Sequence, residues 1–174
     1  EMAIDLYKKA QTINDKIPVI LYSLALAYQG LGKFDQAIEY AKKTLLLDPK
    51  LTQADMLISQ STKYKINDEH FEAMNSKLNN LQLNNEQKIN LLFALAKASE
   101  DKNQIEKSFE YLSQGNLIKR KSLDYNINKE IKFFNDIKKI FSELDFNKIS
   151  KDNNSKKNII FILGMPRSGT SLIE

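Results

Sequence analysis

At 174 residues the chain has room for one domain, or for one domain and the edge of a second. Its 42% hydrophobic and 28% charged residues make it too apolar for general disorder, and the net charge of +4 is a small excess of 26 Lys and Arg over 22 Asp and Glu. The lysines are dispersed rather than gathered on one face, which argues against a nucleic-acid partner. The absence of cysteine excludes disulfides and thiolate metal ligands, and no apolar run approaches the roughly 20 residues of a membrane-spanning helix. A reducing, cytoplasmic setting fits this composition, with any targeting signal upstream of Glu1 left open. Glu1 to Tyr7 starts inside an amphipathic pattern and Ser171 to Glu174 stops inside a first helical turn, so the chain reads as part of a longer protein.

Taken in order, the first segment, AIDLYKKAQTI from Ala3, returns as AIEYAKKTLLL from Ala37 at a constant offset of 34 residues. Between the two copies, Leu21, Leu24, Ala25 and Tyr28 recur at i, i+3, i+4 and i+7 and therefore share one helical face. Gly32 breaks that helix, Phe34 opens the next, and Asp48-Pro49 ends it. A 34-residue period of paired helices defines a solenoid, in which a single pair cannot bury its own face and neighbours must stack.

The segment from Pro18 to Leu51 resembles the tetratricopeptide repeat, with Leu21, Leu24, Ala25, Tyr28, Gly32, Phe34, Ala37 and Pro49 on the motif's positions. Leu21 stands where the usual tryptophan would be, and Ala41 and Thr44 also depart from the commoner choices. Ala25 and Ala37 let the helices approach closely, and Tyr28 and Phe34 are expected to fill the space around them. The resemblance implies binding of a protein or peptide through the repeats.

Leu92, Leu95, Ala96, Ser99, Ile105 and Ser108 follow the first set at an offset of 71, three residues more than two periods. The extra residues fall between Tyr64 and His70, where Lys65-Ile66-Asn67-Asp68 interrupts the pattern. A degenerate middle repeat is therefore expected, with helices from about 51 to 65 and 69 to 81, and Asn84 or Asn85 as caps for a helix starting near Glu86. The repeats span 1–122. A bridging region at 123–146 holds an amphipathic helix with Ile131, Phe134, Ile137, Ile140 and Phe141 on one side. Residues 147–157 have the polar composition of a linker.

The apolar run Asn158 to Leu163 predicts a buried parallel strand, and Gly164-Met165-Pro166-Arg167-Ser168-Gly169-Thr170-Ser171 follows it as a glycine-bounded loop leading into a helix. Backbone amides at such a helix start, the Thr170 and Ser171 hydroxyls and the planar Arg167 guanidinium suit phosphate or sulfate oxygens. The spacing Gly-x-x-x-x-Gly matches a P-loop, but Thr170 occupies the position of the P-loop lysine, which counts against an atypical kinase or nucleotide hydrolase. Pro166 to Ser171 after a strand resembles the 5′-phosphosulfate loop of sulfotransferases of the bacterial and tyrosylprotein type. Residues 85–173 resemble bacterial proteins that join tetratricopeptide repeats to such a domain.

The resemblance implies a mainly α chain: a helical solenoid, then at 158–174 the strand, loop and helix start of an α/β sulfotransferase domain. It implies 3′-phosphoadenosine 5′-phosphosulfate as cosubstrate with no metal. Arg167 would be the catalytic residue near the sulfonate, and Pro166, Arg167, Ser168, Gly169, Thr170 and Ser171 would hold the 5′-phosphate. Protein tyrosine, carbohydrate and small-molecule hydroxyls are all candidate acceptors. The base and the 3′-phosphate contacts are expected beyond Glu174, leaving this stretch inactive alone. A non-catalytic peptide-docking solenoid is the alternative.

Three features have plain structural explanations. His70 follows Asp68-Glu69 at a helix start without a partner cluster in sequence and reads as a surface or hydrogen-bonded histidine. Tyr7, Tyr28, Phe34, Tyr40 and Phe109 fall at repeat spacing and read as core. Lys119-Arg120-Lys121 reads as a solvated helix end.

Overall fold

The computed structural model describes residues 2–65, 68–123 and 125–144, and every element among them is a helix. The predicted strand, the phosphate loop with Pro166, Arg167, Ser168, Gly169, Thr170 and Ser171, and the 147–157 linker all lie outside the described residues. The chain divides into two compact units, Glu1–Asp124 and Tyr125–Glu174.

The first unit holds α1 (Met2–Ile13), α2 (Pro18–Gly30), α3 (Phe34–Leu47), α4 (Thr52–Ser61), α5 (Glu69–Asn80), α6 (Asn85–Asp101) and α7 (Ile105–Ser122). Consecutive helices pack pairwise from α1 to α4, and α5, α6 and α7 continue the array. The first helices of the repeats also stack directly, α2 on α4 and α4 on α6. This is a right arrangement for residues at a 34-residue period, because each pair leaves an apolar face for its neighbour to cover.

Local chemistry sets the helix ends. Pro18 sits in the first turn of α2, where its missing N–H costs nothing. Gly32, at φ +71°, turns the chain into α3, with its N–H bonded to the Gln29 carbonyl and that of Lys33 to the Tyr28 carbonyl. The α6–α7 turn repeats this geometry 71 residues later: Asn103 takes φ +56°, its N–H reaches Glu100, and Gln104 reaches Ser99. Asparagine is among the few residues other than glycine that adopt this conformation readily. Asp68 caps α5, and Asn84 with Gln87 forms a reciprocal capping box at α6.

The core follows the repeat register. Leu21, Leu24, Ala25 and Tyr28 are buried, as are Leu92, Leu95, Ala96 and Ser99 at the same positions one offset of 71 on. Ala37, Ala41 and Thr44 of α3 have no accessible surface. The middle repeat departs from its neighbours. Helix α4 stops at Ser61, short of the expected 65, and residues 62–68 link it to α5.

The aromatic residues expected in the core divide. Tyr28 is buried and stacks on Tyr40 at 5.4 Å, whereas Tyr7, Phe34 and Phe109 are exposed, at 37%, 50% and 70%. Phe34 opens α3 on its solvent side. Tyr7 and Phe109 lie on α1 and α7, whose outer faces no helix of the first unit covers.

In the second unit α8 (Ile127–Glu143) is longer than the expected 129–141, starts at the Asn126 cap, and buries none of its residues. Ile131, Phe134, Ile140 and Phe141 all stand more than half exposed on it.

Close approach of α6 and α7 rests on Gly115, the counterpart of Thr44. A Cβ there would lie 2.8 Å from the Phe93 ring. Gly115→Ala is expected to lower stability by about 1–3 kcal/mol through overpacking, despite the helix-propensity gain. In a Phe93→Ala background the same change becomes stabilising by up to about 1 kcal/mol. Urea unfolding of the four proteins checks the reversal of sign.

Candidate functional site

Two arrangements of polar side chains stand out in the first unit: a groove along the stacked first helices, and a buried clamp in the middle repeat.

The groove is built from equivalent repeat positions. Tyr22, Met56 and Phe93 form one column at offsets of 34 and 71, Val19, Gln53 and Asn90 a second, and Leu26, Gln60 and Lys97 a third. Tyr22, Gln29, Gln53, Met56, Gln60 and Asn90 line a cleft of about 210 Å³. That volume is below the roughly 300 Å³ at which small-molecule pockets begin, so it suits a side chain of a longer ligand. Lys97 is the one charged residue in the three columns, and it is tied to the Asp101 carboxylate and the Thr62 carbonyl. The carboxamide nitrogen of Asn90 is buried without a hydrogen-bond partner, and Gln29 reaches the Ser61 hydroxyl at 3.2 Å. An unpaired buried donor costs about 1–3 kcal/mol, so a ligand carbonyl at Asn90 would recover that loss.

The clamp centres on Asp55, which occupies in α4 the register position of Leu21 in α2 and has no accessible surface. The Lys77 ammonium of α5 donates to both carboxylate oxygens, at 2.7 and 2.9 Å. His70 Nε2, on the first turn of α5, lies 3.0 Å from Asp55 Oδ1. A carboxylate only accepts, so Nε2 carries a proton, and Nδ1 lies 2.6 Å from the Tyr64 hydroxyl. His70 is thus hydrogen-bonded as expected, but it does have a partner cluster: Tyr64, Asp55 and Lys77. Lys77 follows His70 two turns along α5, while Tyr64 reaches the ring from the link and Asp55 from α4.

The same contacts fasten the link between α4 and α5. Tyr64 N–H donates to Asp101 at 3.0 Å, Lys97 bonds the Thr62 carbonyl, and the Lys97 ammonium sits 5.4 Å from the Tyr64 ring centroid. Lys97, the Tyr64 amide and neighbouring Lys63 outweigh burial and hold the Asp101 carboxyl below its ordinary value.

Tyr64, His70 and Asp55 form a phenol–imidazole–carboxylate line that invites comparison with nucleophile relays. The electrostatics point the other way. Burial, with the nearby Asp68 charge second, pushes the Tyr64 phenol well above its ordinary value, and the residue is only 3% exposed. A nucleophile needs a lowered pKa and access, so this line is structural. Among the described residues no group of three or more His, Cys, Asp or Glu could hold a metal, and no helix is long and apolar enough to cross a membrane.

The candidate phosphate-loop residues Pro166, Arg167, Ser168, Gly169, Thr170 and Ser171 lie outside the described residues, so neither arrangement includes them. The clamp carried one sequence signal: an aspartate at a signature core position of the degenerate repeat. The groove columns follow from the offsets alone.

Stacked helix pairs with a shared groove define a helical-repeat protein. Residues 18–51 match the tetratricopeptide repeat family, in agreement with the buried positions of α2 and α3. Over 177 aligned residues the chain is 24% identical to an uncharacterized protein of Aquifex aeolicus (strain VF5), an alignment that covers 99% of this chain. The chain spans 22% of that relative's length.

Asp55→Ala is expected to lower stability by about 3–5 kcal/mol, because it strands the buried Lys77 charge, and Asp55→Leu with Lys77→Met recovers most of the loss. Guanidinium unfolding of both variants is the check. The contribution of neutral Tyr64 is complete below its unfolded pKa of 10.0 and drains as pH rises toward the raised folded value. The native protein should therefore lose stability above about pH 10 more steeply than Tyr64→Phe, as followed by circular dichroism.

Proposed function

We propose that the repeats are a docking module for an extended, largely uncharged polypeptide segment. The observation that carries this is the cleft in which Tyr22 of α2, Gln53 and Met56 of α4 and Asn90 of α6 come together. Side-chain amides offer a donor and an acceptor in the pattern of a peptide group, and the central column supplies apolar contact. Binding of this kind depends weakly on ionic strength, since the Lys97 charge is already paired. A peptide selected from a random library for binding to the protein should lose at least tenfold in affinity on Met56→Glu, by titration calorimetry. Its affinity should change less than about twofold between 50 and 500 mM salt. Unchanged binding by Met56→Glu would remove the groove from the interaction.

We infer a second reading for the whole protein from Gly164 to Ser171: sulfonate transfer from 3′-phosphoadenosine 5′-phosphosulfate to an acceptor hydroxyl, with the repeats delivering the acceptor. Its support is the loop sequence, with Arg167 inside it and Thr170 in the lysine position. In this reading the acceptor oxygen attacks sulfur while its proton passes to a base expected beyond Glu174 in the full-length protein, the bond from sulfur to the phosphate oxygen breaks, and Arg167 with the loop amides stabilises the departing 5′-phosphate. The full-length protein should bind 3′-phosphoadenosine 5′-phosphate in calorimetry. Affinity unchanged by Arg167→Ala with Thr170→Ala would sink the assignment.

A further inference from the structure

The residues around the cleft between α2, α4 and α6 carry no charge, yet four of them are carboxamides: Gln29, Gln53, Gln60 and Asn90. Gln29 is occupied, since its Nε2 donates to the Ser61 hydroxyl. The other three are not. Among the described residues the carboxamides of Gln53 and Gln60 have no hydrogen-bond partner, and the Asn90 nitrogen is buried without one. The Tyr22 hydroxyl is likewise unpaired there, and burial raises the phenol above its ordinary value, so it stays a neutral donor.

Each class of side chain meets these groups differently. A carboxylate or ammonium entering the cleft would surrender its hydration with no opposite charge to replace it, because Lys97 is already held by Asp101 and the Thr62 carbonyl. An aliphatic side chain would cover Leu26, Met56 and Leu57 but leave the Asn90 nitrogen as unpaired as before. A hydroxyl brings a single donor. A carboxamide brings a carbonyl and an amino group in one plane, the complement of a second carboxamide. A half-turn about Cβ–Cγ exchanges the oxygen and nitrogen of Asn90, so that residue can serve either end of such a ligand. The longer stem of glutamine, compared with asparagine, lays its methylenes against Met56 and Leu57.

Given docking of a polypeptide at this cleft, the role on which the inference rests, we infer that the cleft is a glutamine subsite. The docked segment inserts a glutamine side chain whose carboxamide hydrogen-bonds Asn90 and Gln53 and whose stem lies against Met56.

The test uses the full-length protein with peptide and small-molecule probes. Peptides selected from a random library, and retained only where Met56→Glu weakens binding by roughly tenfold or more, should share a glutamine. Changing that glutamine to glutamate should cost about thirtyfold or more in affinity, and to methionine about fivefold, by titration calorimetry. With Asn90→Ala the glutamine and methionine peptides should bind within about twofold of each other. On the unaltered protein, N-acetylglutamine methylamide should shift the carbon-13 methyl resonance of Met56 saturably, while N-acetylglutamate methylamide at the same concentration leaves it in place. Retained peptides that share no glutamine overturn the subsite while the docking role stands. So do a glutamine preference that Asn90→Ala leaves intact and a Met56 shift that the glutamate probe equals. A library that yields no peptide sensitive to Met56→Glu overturns both.

Discussion

The first unit depends on how closely its helices can approach. Ala25, Ala37, Ala41, Ala54, Ala94 and Ala98 each have no accessible surface, and they lie where one helix crosses another. Side chains this small let backbones come near enough for Leu24, Leu57, Leu91 and Leu95 to fill the remaining space, so dispersion and apolar burial accumulate along the stack. Gly115 takes the same logic to its limit beside Phe93. Because every pair relies on its neighbour to finish the burial, the buried residues gather in two clusters, one from Ile4 to Ile58 and one from Tyr64 to Ala98, with Met56 of α4 packed against the second.

The middle repeat satisfies that constraint differently. Phe71 and Met74 fix α5 to α6 by apolar contact, while α4 and α5 are joined through Asp55, His70 and Lys77. A buried carboxylate costs several kcal/mol to desolvate and returns little net stability even when fully paired. Its effect is geometric: two hydrogen-bonded partners on α5 define where that helix lies relative to α4. Tyr64, Lys97 and Asp101 then hold a link longer than the tight turns at Gly32 and Asn103. The insertion is absorbed without disturbing the stacking of α2, α4 and α6.

Period and register were plain in the sequence. The offsets of 34 and 71 located the helices, the buried positions and the inserted residues, because a solenoid repeats its packing as well as its residues. Asn103 in the place of Gly32 reproduces even the hydrogen bonds of the turn. The clamp was legible only through Asp55 at a core position of the degenerate repeat, since Tyr64 and Asp55 meet the α5 residues His70 and Lys77 only after folding. The exposed aromatics misled for a related reason. Equivalent register gives equivalent burial only where a neighbouring helix exists to cover the position, which fails for Tyr7 on α1 and Phe109 on α7. The phosphate loop from Gly164 to Ser171 is legible only as sequence, because it lies outside the described residues.

The central claim is that packing continuous from α2 through α3 and α4 to α6 carries the unit, with α5 attached to α4 by a polar clamp. Native-state hydrogen exchange tests it residue by residue. The account predicts one shared, highest opening free energy for the amides of α2, α4 and α6. It predicts a smaller, separate opening for α5, which Asp55→Asn makes easier while leaving α2 unchanged relative to α6. Exchange of α5 together with the three stacked helices, unmoved by Asp55→Asn, would contradict it, as would α4 opening independently of α2.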